Sequence, residues 1–231
     1  MQSSGAIGRP RKARILIAHY SRSGHTARLA DALARELQRR GFEVAREEIR
    51  VVRDWNKWLL PLPLLPLLPF LPLYLLSARF RRLWHALYPQ PEQAIRPLRH
   101  PDLADFDQVL LGTPKWLYIA FPVARWLKVV RGLEGRRVSV FSTFCGPPLP
   151  VFELEMLFAP LDDRLRAKGA LPAAHLAVSS AYHPYFFRGE MEVLFRWLSR
   201  RVFGCPLADF TLDGERGRLA LQAFCEQVAE T

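Results

Sequence analysis

The amino-acid sequence predicts an α/β protein built on a doubly wound parallel sheet. Five short apolar runs alternate with segments of helical periodicity, the pattern of parallel strands covered by helices on both faces. The first run, Arg14-Ile15-Leu16-Ile17-Ala18-His19, passes through Tyr20-Ser21-Arg22-Ser23-Gly24-His25-Thr26 straight into a helix-forming stretch. The polar or aromatic loops after runs one, three and four all leave strands at their carboxyl ends, where ligands bind in this architecture.

Residues 14–19 form strand one, an apolar run without alternation, as expected for a strand buried on both faces. Helix one runs from about Gly24 to Arg40, because Leu29, Leu33 and Leu37 recur every four residues beside Ala30 and Ala34. Asp31 and Arg35 are expected to pair one turn apart on its exposed side. Gly41 ends the helix as a C-terminal cap, and Phe42–Ile49 reads as strand two.

An insertion over 53–100 follows. Nineteen residues, Trp58 to Leu76, carry no charge, a length that suits a membrane-spanning helix. Prolines at 61, 63, 66, 69 and 72 oppose a regular helix, each costing ~3 kcal/mol in a helix interior. Their spacing of three from Pro63 predicts a polyproline-II-like path, which lies at an interface or against protein. Ser77 to Tyr88 reads as a basic amphipathic helix, with Phe80, Leu83, Trp84 and Leu87 on one face and Arg79, Arg82 and His85 away from its centre. Between Arg53 and Arg99 the local charge is +5, with seven Lys/Arg against Asp54 and Glu92. Residues 55–88 therefore have the composition of a peripheral binder of anionic membrane surfaces. A lid over the protein's own core and a homodimer contact are the alternatives.

Strand three is Gln108–Gly112, followed by the loop from Thr113 to Ala120 and a helix that begins near Phe121-Pro122. Val123, Trp126, Leu127 and Val130 form its inward face. Strand four is Arg137–Ser142, with Thr143-Phe144-Cys145-Gly146-Pro147-Pro148 after it. Residues 151–168 read as a helix interrupted near Pro160, and strand five covers about Ala173–Ser179. Two helices, about Glu190–Phe203 and Gly214–Glu230, complete the chain, with a basic and aromatic segment over 181–213. The expected organisation is a flexible basic leader, 1–13, and one domain, 14–231.

Composition narrows the function. Of 231 residues, 50% are hydrophobic, which excludes global disorder. The net charge of +11 calls for an acidic partner: a phosphorylated ligand, an anionic membrane or nucleic acid. Nothing beyond net charge supports nucleic acid. Cys145, Cys205 and Cys225 show no metal-binding spacing, and so sparse a set fits a reducing cytoplasm. Cys145 reads as a buried or bystander thiol.

The first strand–helix turn has the chemistry of a phosphate cradle. Amide N–H groups at a helix N-terminus attract anions, Ser21, Ser23 and Thr26 add hydroxyls, and Gly24 lets the backbone come close. Helix capping is the plainer use of Ser21 and Ser23. The dinucleotide fingerprint G-x-G-x-x-G is absent, which favours a terminal phosphate.

Ser21-Arg22-Ser23-Gly24-His25-Thr26 together with Asp105-Phe106-Asp107-Gln108-Val109-Leu110-Leu111-Gly112-Thr113-Pro114-Lys115-Trp116 resembles the flavodoxin-like FMN-binding family, over residues 13–52 and 102–180. The long insertion and the basic charge depart from that family's short, acidic electron carriers. The resemblance implies a flavodoxin-like sheet of order 2-1-3-4-5. It implies that Ser21, Ser23, Gly24, His25 and Thr26 hold the FMN phosphate. Thr113, Pro114, Lys115 and Trp116 would line one side of the isoalloxazine, with Trp116 stacking, and Thr143, Phe144 and Gly146 the other. Core filling is the alternative for Trp116, and an exposed loop position for Lys115. No catalytic residue and no metal site is assigned. His175, His183 and the arginines of 188–201 are expected on a solvated or membrane-facing surface.

The function expected is an FMN-dependent redox protein: electron transfer, or reduction of a quinone-like acceptor, with NAD(P)H compatible as donor. It would be cytoplasmic and peripheral on the inner face of the membrane. The alternative is a non-enzymatic membrane-associated or partner-binding module with the same fold. A cysteine-based phosphatase also cradles an anion after strand one, but Ser21–Thr26 holds no cysteine.

Overall fold

The computed structural model describes residues 12–54, 62–87, 90–115, 119–149, 156–180 and 190–230. The proposed leader up to residue 11, Trp116, and His183 lie outside them. Strands β1 (Arg14–His19), β2 (Glu43–Glu48), β3 (Gln108–Pro114), β4 (Arg137–Phe144) and β5 (Leu171–Ser179) form one parallel sheet in the order 2-1-3-4-5. This is the flavodoxin-like order, with its switch point between β1 and β3.

Alternation of side chains along the strands divides the core in two. Ile15, Ile17, Leu110, Phe141, Leu176 and Val178 pack against α1 (His25–Arg39) and α7 (Glu215–Glu230), meeting Leu29, Leu33, Leu37, Phe224 and Val228. Leu16, Ala18, Val109, Leu111, Val138 and Val140 face the other way. They are covered by α4 (Phe121–Val129) and α5 (Ala159–Ala167), through Val123, Trp126, Leu127, Leu161 and Leu165. Between β4 and β5 the register shifts at Val138/Val140, where the Ser139 hydroxyl accepts the Ala174 N–H at 3.3 Å.

Helix α1 ends as its sequence predicts. Gly41 adopts φ +94°, its N–H reaches the Gln38 carbonyl at 3.0 Å, and the Phe42 N–H reaches Leu37 at 3.1 Å, a Schellman cap. Asp31 does not bridge to Arg35 as expected; it pairs with Arg46 of β2, tying the helix to the edge strand. Residues 151–155 of the helix expected over 151–168 lie outside those described, and the irregularity expected near Pro160 takes the form of a change from a π-helical turn to α5. Pro160 lies in its first turn, where a missing N–H costs nothing, and a short π-helical turn over 156–158 precedes it.

The insertion departs most from expectation. Residues Leu62–Phe70 form a 3-10 helix, not a polyproline-II path, and continue into α2 (Leu71–Leu76) and α3 (Ala78–Leu87). Both three-residue-per-turn forms accept proline at every third position, and the 3-10 form keeps the hydrogen bonds of the other rows. Leu67, Tyr74 and Met156 form a small separate core, with Leu75, Phe80 and Trp84 against it. The neck of the insertion is closed by an antiparallel bridge, Val51 to Ile95, flanked by Val52 N–H to Ala94 (3.0 Å) and Arg96 N–H to Arg50 (2.7 Å).

The expected apolar face of α3 splits. Phe80 and Trp84 turn inward, while Leu83 and Leu87 are exposed. Arg81 takes the inward place, because its guanidinium donates to the Tyr74 and Leu75 carbonyls at 3.0 and 2.9 Å and so satisfies the end of α2. His85 also turns inward, with Nε2 2.9 Å from the Tyr74 hydroxyl. Burial, reinforced by Arg164 and Arg81, lowers its pKa to about 4, so the imidazole is neutral.

Candidate functional site

Four strand ends, those of β1, β3, β4 and β5, meet at the carboxyl edge of the sheet. Backbone bonds stitch them together past the regular ladder. Tyr20 N–H donates to Gly112 at 3.0 Å, Lys115 N–H to Thr143 at 2.9 Å, and Ser180 N–H to Phe144 at 2.8 Å. The loop after β1 is joined to the end of β4 by a buried hydrogen bond between the Thr26 and Thr143 hydroxyls, 2.8 Å long across 117 residues of sequence. Of the residues expected to hold a phosphate, Thr26 is thus brought against Thr143.

Within that loop, Gly24 sits at the N-cap of α1 with φ +86°, a left-handed conformation that disfavours any side chain. No atom lies within 4 Å of where its Cβ would stand, so the turn is open. The first helical bond runs from Arg28 N–H to the Gly24 carbonyl at 2.9 Å, which leaves the earlier amides of α1 without intrahelical acceptors. The Ser21 hydroxyl is buried with no hydrogen-bond partner, while Ser23 is exposed and His25 half-buried. A buried unpaired hydroxyl costs about 1–3 kcal/mol, which a ligand oxygen would relieve.

The other expected residues divide. Pro114 and Lys115 are half-exposed on the β3 loop, whereas Thr113 is fully buried and its hydroxyl donates to the Pro114 carbonyl at 3.1 Å. Phe144 is 4% exposed and Gly146 is buried beneath Phe195 of α6 (Glu190–Phe203), whose ring lies 3.1 Å from the position of a Cβ there. Thr113 and Phe144 can therefore offer backbone, not side chains, to a ligand at this edge. Cys145 is exposed, which corrects the expectation of a buried thiol and leaves the bystander reading.

Sequence reading overlooked two features. Arg22, a variable position of the loop, reaches Asp54 at 3.7 Å with its side chain only 17% exposed, linking the cradle to the root of the insertion. Ser179 ends β5 and Ser180 follows it, a hydroxyl signal at a strand end like that of Ser21 and Ser23. Ser179 and Ser180 line a cavity of about 320 Å³ with His25, Arg28, Thr143 and Thr211. The Ser180 hydroxyl donates to the Phe144 carbonyl at 3.0 Å. His175, expected on a solvated surface, instead bonds Asp162 at 3.0 Å and stacks on Phe158 at 4.5 Å, fastening β5 to α5.

A larger cleft, about 600 Å³, opens at the β2 edge between Arg46, Arg50, Arg96 and Arg99, with Glu47 and Glu48 in its wall. Buried His19 borders it. Burial and then Arg46 lower the His19 pKa against the opposing pull of Glu48 and Asp31. Arg46 and Arg50 are already paired with Asp31 and Glu48, so much of this cleft's charge is internally compensated. Among the described residues no cluster of metal-ligating side chains occurs, and no helix is long and apolar enough to cross a membrane.

No protein-family model and no curated protein matches the sequence. Solved structures do resemble the chain. A flavoprotein in complex with FMN from Lactobacillus acidophilus is 16% identical over 71% of this chain and 93% of its own, with a TM-score of 0.44. Oxidised flavodoxin 1 from Bacillus cereus is 14% identical over 84% of this chain and 99% of its own, with a TM-score of 0.43. A flavodoxin from Streptococcus pneumonia is 13% identical over 94% of this chain and 99% of its own, with a TM-score of 0.46. At these scores the assignment rests on the chain's own topology: with parallel strands in the order 2-1-3-4-5 and helices on both faces, the protein has the flavodoxin-like fold.

Proposed function

We propose that the protein is an FMN-binding redox protein that exchanges electrons with a hydrophobic, quinone-like acceptor at an anionic membrane surface. One observation carries the cofactor: the buried, unpartnered Ser21 hydroxyl beside the open left-handed turn at Gly24, at the N-terminus of a 15-residue helix. These residues fit a phosphate. Ser21, Ser23, Gly24, His25 and Thr26 would hold it, with the Thr26 hydroxyl held in place by Thr143. Pro114, Lys115 and Trp116 would border one side of the ring, and the backbone of Thr143, Phe144 and Gly146 the other. FMN, when bound, supplies the redox chemistry. The chain orients the ring and limits access of water to it. NAD(P)H is the donor class this reading accommodates.

The membrane half of the proposal is supported by the insertion. Leu65, Leu68, Phe70, Leu73, Leu76, Leu83 and Leu87 are all between 47 and 87% exposed, a concentration of apolar surface beside a net charge of +5. Two signals, apolar and basic, give stable peripheral attachment.

The test is in two parts. The purified protein should show flavin absorbance, and Ser23→Ala/Thr26→Ala should weaken FMN binding by about tenfold or more, from the loss of charge-assisted hydrogen bonds of ~1.5–3 kcal/mol each. Undiminished binding would remove the phosphate assignment. Wild type should float with anionic vesicles and detach as salt rises. If it does not float, the insertion is a lid or a homodimer contact.

A further inference from the structure

Helices α3 and α5 leave between them a groove of about 520 Å³. Small residues keep it open: Ala78 and Ala86 on one wall, Ala159 and Ala167 on the other. Its polar lining is cationic, with Arg81, Arg82 and Arg164. Arg81 is committed to the carbonyls that end α2. Asp163, the carboxylate at the rim, is engaged by Arg166 at 3.2 Å. Arg164 is half-buried, and among the described residues no carboxylate lies within ion-pair distance of it. Burial lowers its pKa, with distant Glu92 compensating only in part. A half-buried guanidinium beside two further arginines is costly unless an anion meets it.

We propose that the groove between α3 and α5 binds the phosphate headgroup of an anionic phospholipid, with Arg82 and Arg164 taking the phosphate. Guanidinium groups bind phosphate oxygens through paired, charge-assisted hydrogen bonds. The alanine walls accommodate the glycerol and the first methylenes. Leu83 and Leu87, 53 and 74% exposed on the same helix, continue the apolar path outward. The amphiphile is thus matched in both its parts, the phosphate by Arg82 and half-buried Arg164 and the hydrocarbon by the exposed leucines of α3. This inference rests on the membrane reading of the insertion but not on FMN. It turns general attraction to anionic surfaces into recognition of one headgroup.

The probe is short-chain phosphatidic acid kept below its micelle-forming concentration, titrated calorimetrically into the full chain. Wild type should bind it, Arg164→Gln should weaken it at least about tenfold, and Ala86→Trp, which fills the groove, should abolish it. Arg39→Gln, an equal charge change on α1, should leave it unaltered. Inorganic phosphate, titrated alone, should bind far more weakly; equal binding would make this a free-phosphate site and overturn the lipid assignment. Leu83→Ser/Leu87→Ser should lose vesicle flotation yet keep the short-chain lipid. If wild type floats but the short-chain lipid does not bind, the groove proposal fails and the membrane reading stands. If the lipid binds through Arg164 and no vesicle is bound, the groove stands and the membrane reading fails.

Discussion

His85 should make the stability of this protein fall as the pH is lowered toward 5. Its folded pKa of about 4 lies below the unperturbed 6.5, chiefly through burial, with Arg164 and Arg81 adding repulsion. The sign follows from linkage. Between the two values the unfolded chain takes up a proton and the folded chain does not, so stability is full above 6.5 and declines as pH falls, levelling off below 4. The whole difference corresponds to about 3 kcal/mol, and about 2 kcal/mol of it is lost by pH 5. His85→Gln keeps a polar partner for the Tyr74 hydroxyl but cannot titrate. Urea denaturation at pH 7.5 and pH 5, analysed at constant m, should show wild type losing about 2 kcal/mol more than the variant over that interval. His19, also held neutral by burial, titrates in both proteins and cancels in the difference. Parallel pH profiles would mean that His85 is solvated, and that the packing of Tyr74, Arg81 and His85 as described is wrong.

Two further outcomes follow from packing. A Cβ at Gly112 would stand 2.3 Å from the Phe141 ring and 2.8 Å from the His19 Cβ, so Gly112→Ala should cost at least ~1–3 kcal/mol by overpacking. Phe141→Leu in the same chain should recover part of that loss, and a thermal melt reads both. Cys145 is exposed, whereas Cys205 and Cys225 are buried and burial pushes the Cys225 thiol up to about 12. A thiol reagent should therefore label one site per chain under native conditions and three only after unfolding, which mass spectrometry resolves.

Strands β1 and β3 were legible because Ile15 to Ala18 and Val109 to Leu111 are continuous apolar runs, whereas β2, with Glu43, Arg46, Glu47 and Glu48, was legible from its place just after the Gly41 cap. The open turn at Gly24 that starts α1 was legible for a related reason: Ser21 to Thr26 is a local arrangement that needs few distant residues. What escaped was set by long-range geometry. Asp31 has Arg35 one turn away, yet β2 brings Arg46 closer, and nothing local to α1 reveals which strand lies beside it. Residues 62–70 were misread because proline at every third position satisfies two helices of the same period. Their difference lies in i→i+3 bonds that the other residues make. The inward place of Arg81 escaped because hydropathy ranks arginine as polar, and the carbonyls at the end of α2 are a partner that only the folded chain supplies. The pairing of His175 with Asp162 escaped in the same way, since the two belong to adjacent elements whose facing sides are not encoded by periodicity alone.

Pro66 and Pro69 of the 3-10 helix and Pro72 of α2 are all exposed, so the proline row forms the outer edge of the insertion while Leu67 and Tyr74 face in. Pro66 and Pro69 each withhold an N–H from the carbonyl three residues before them, so oxygen acceptors along that edge lack those helical donors. In hydrocarbon each such oxygen would cost several kcal/mol, so this edge has to stay wet. On a membrane it would act as a float line: leucines on the neighbouring faces could dip into the bilayer, but the proline edge would stay at the level of headgroups and water. The segment can therefore rest on a membrane only in a rolled orientation with that edge uppermost, and the depth it reaches is limited by its backbone, however apolar its side chains are.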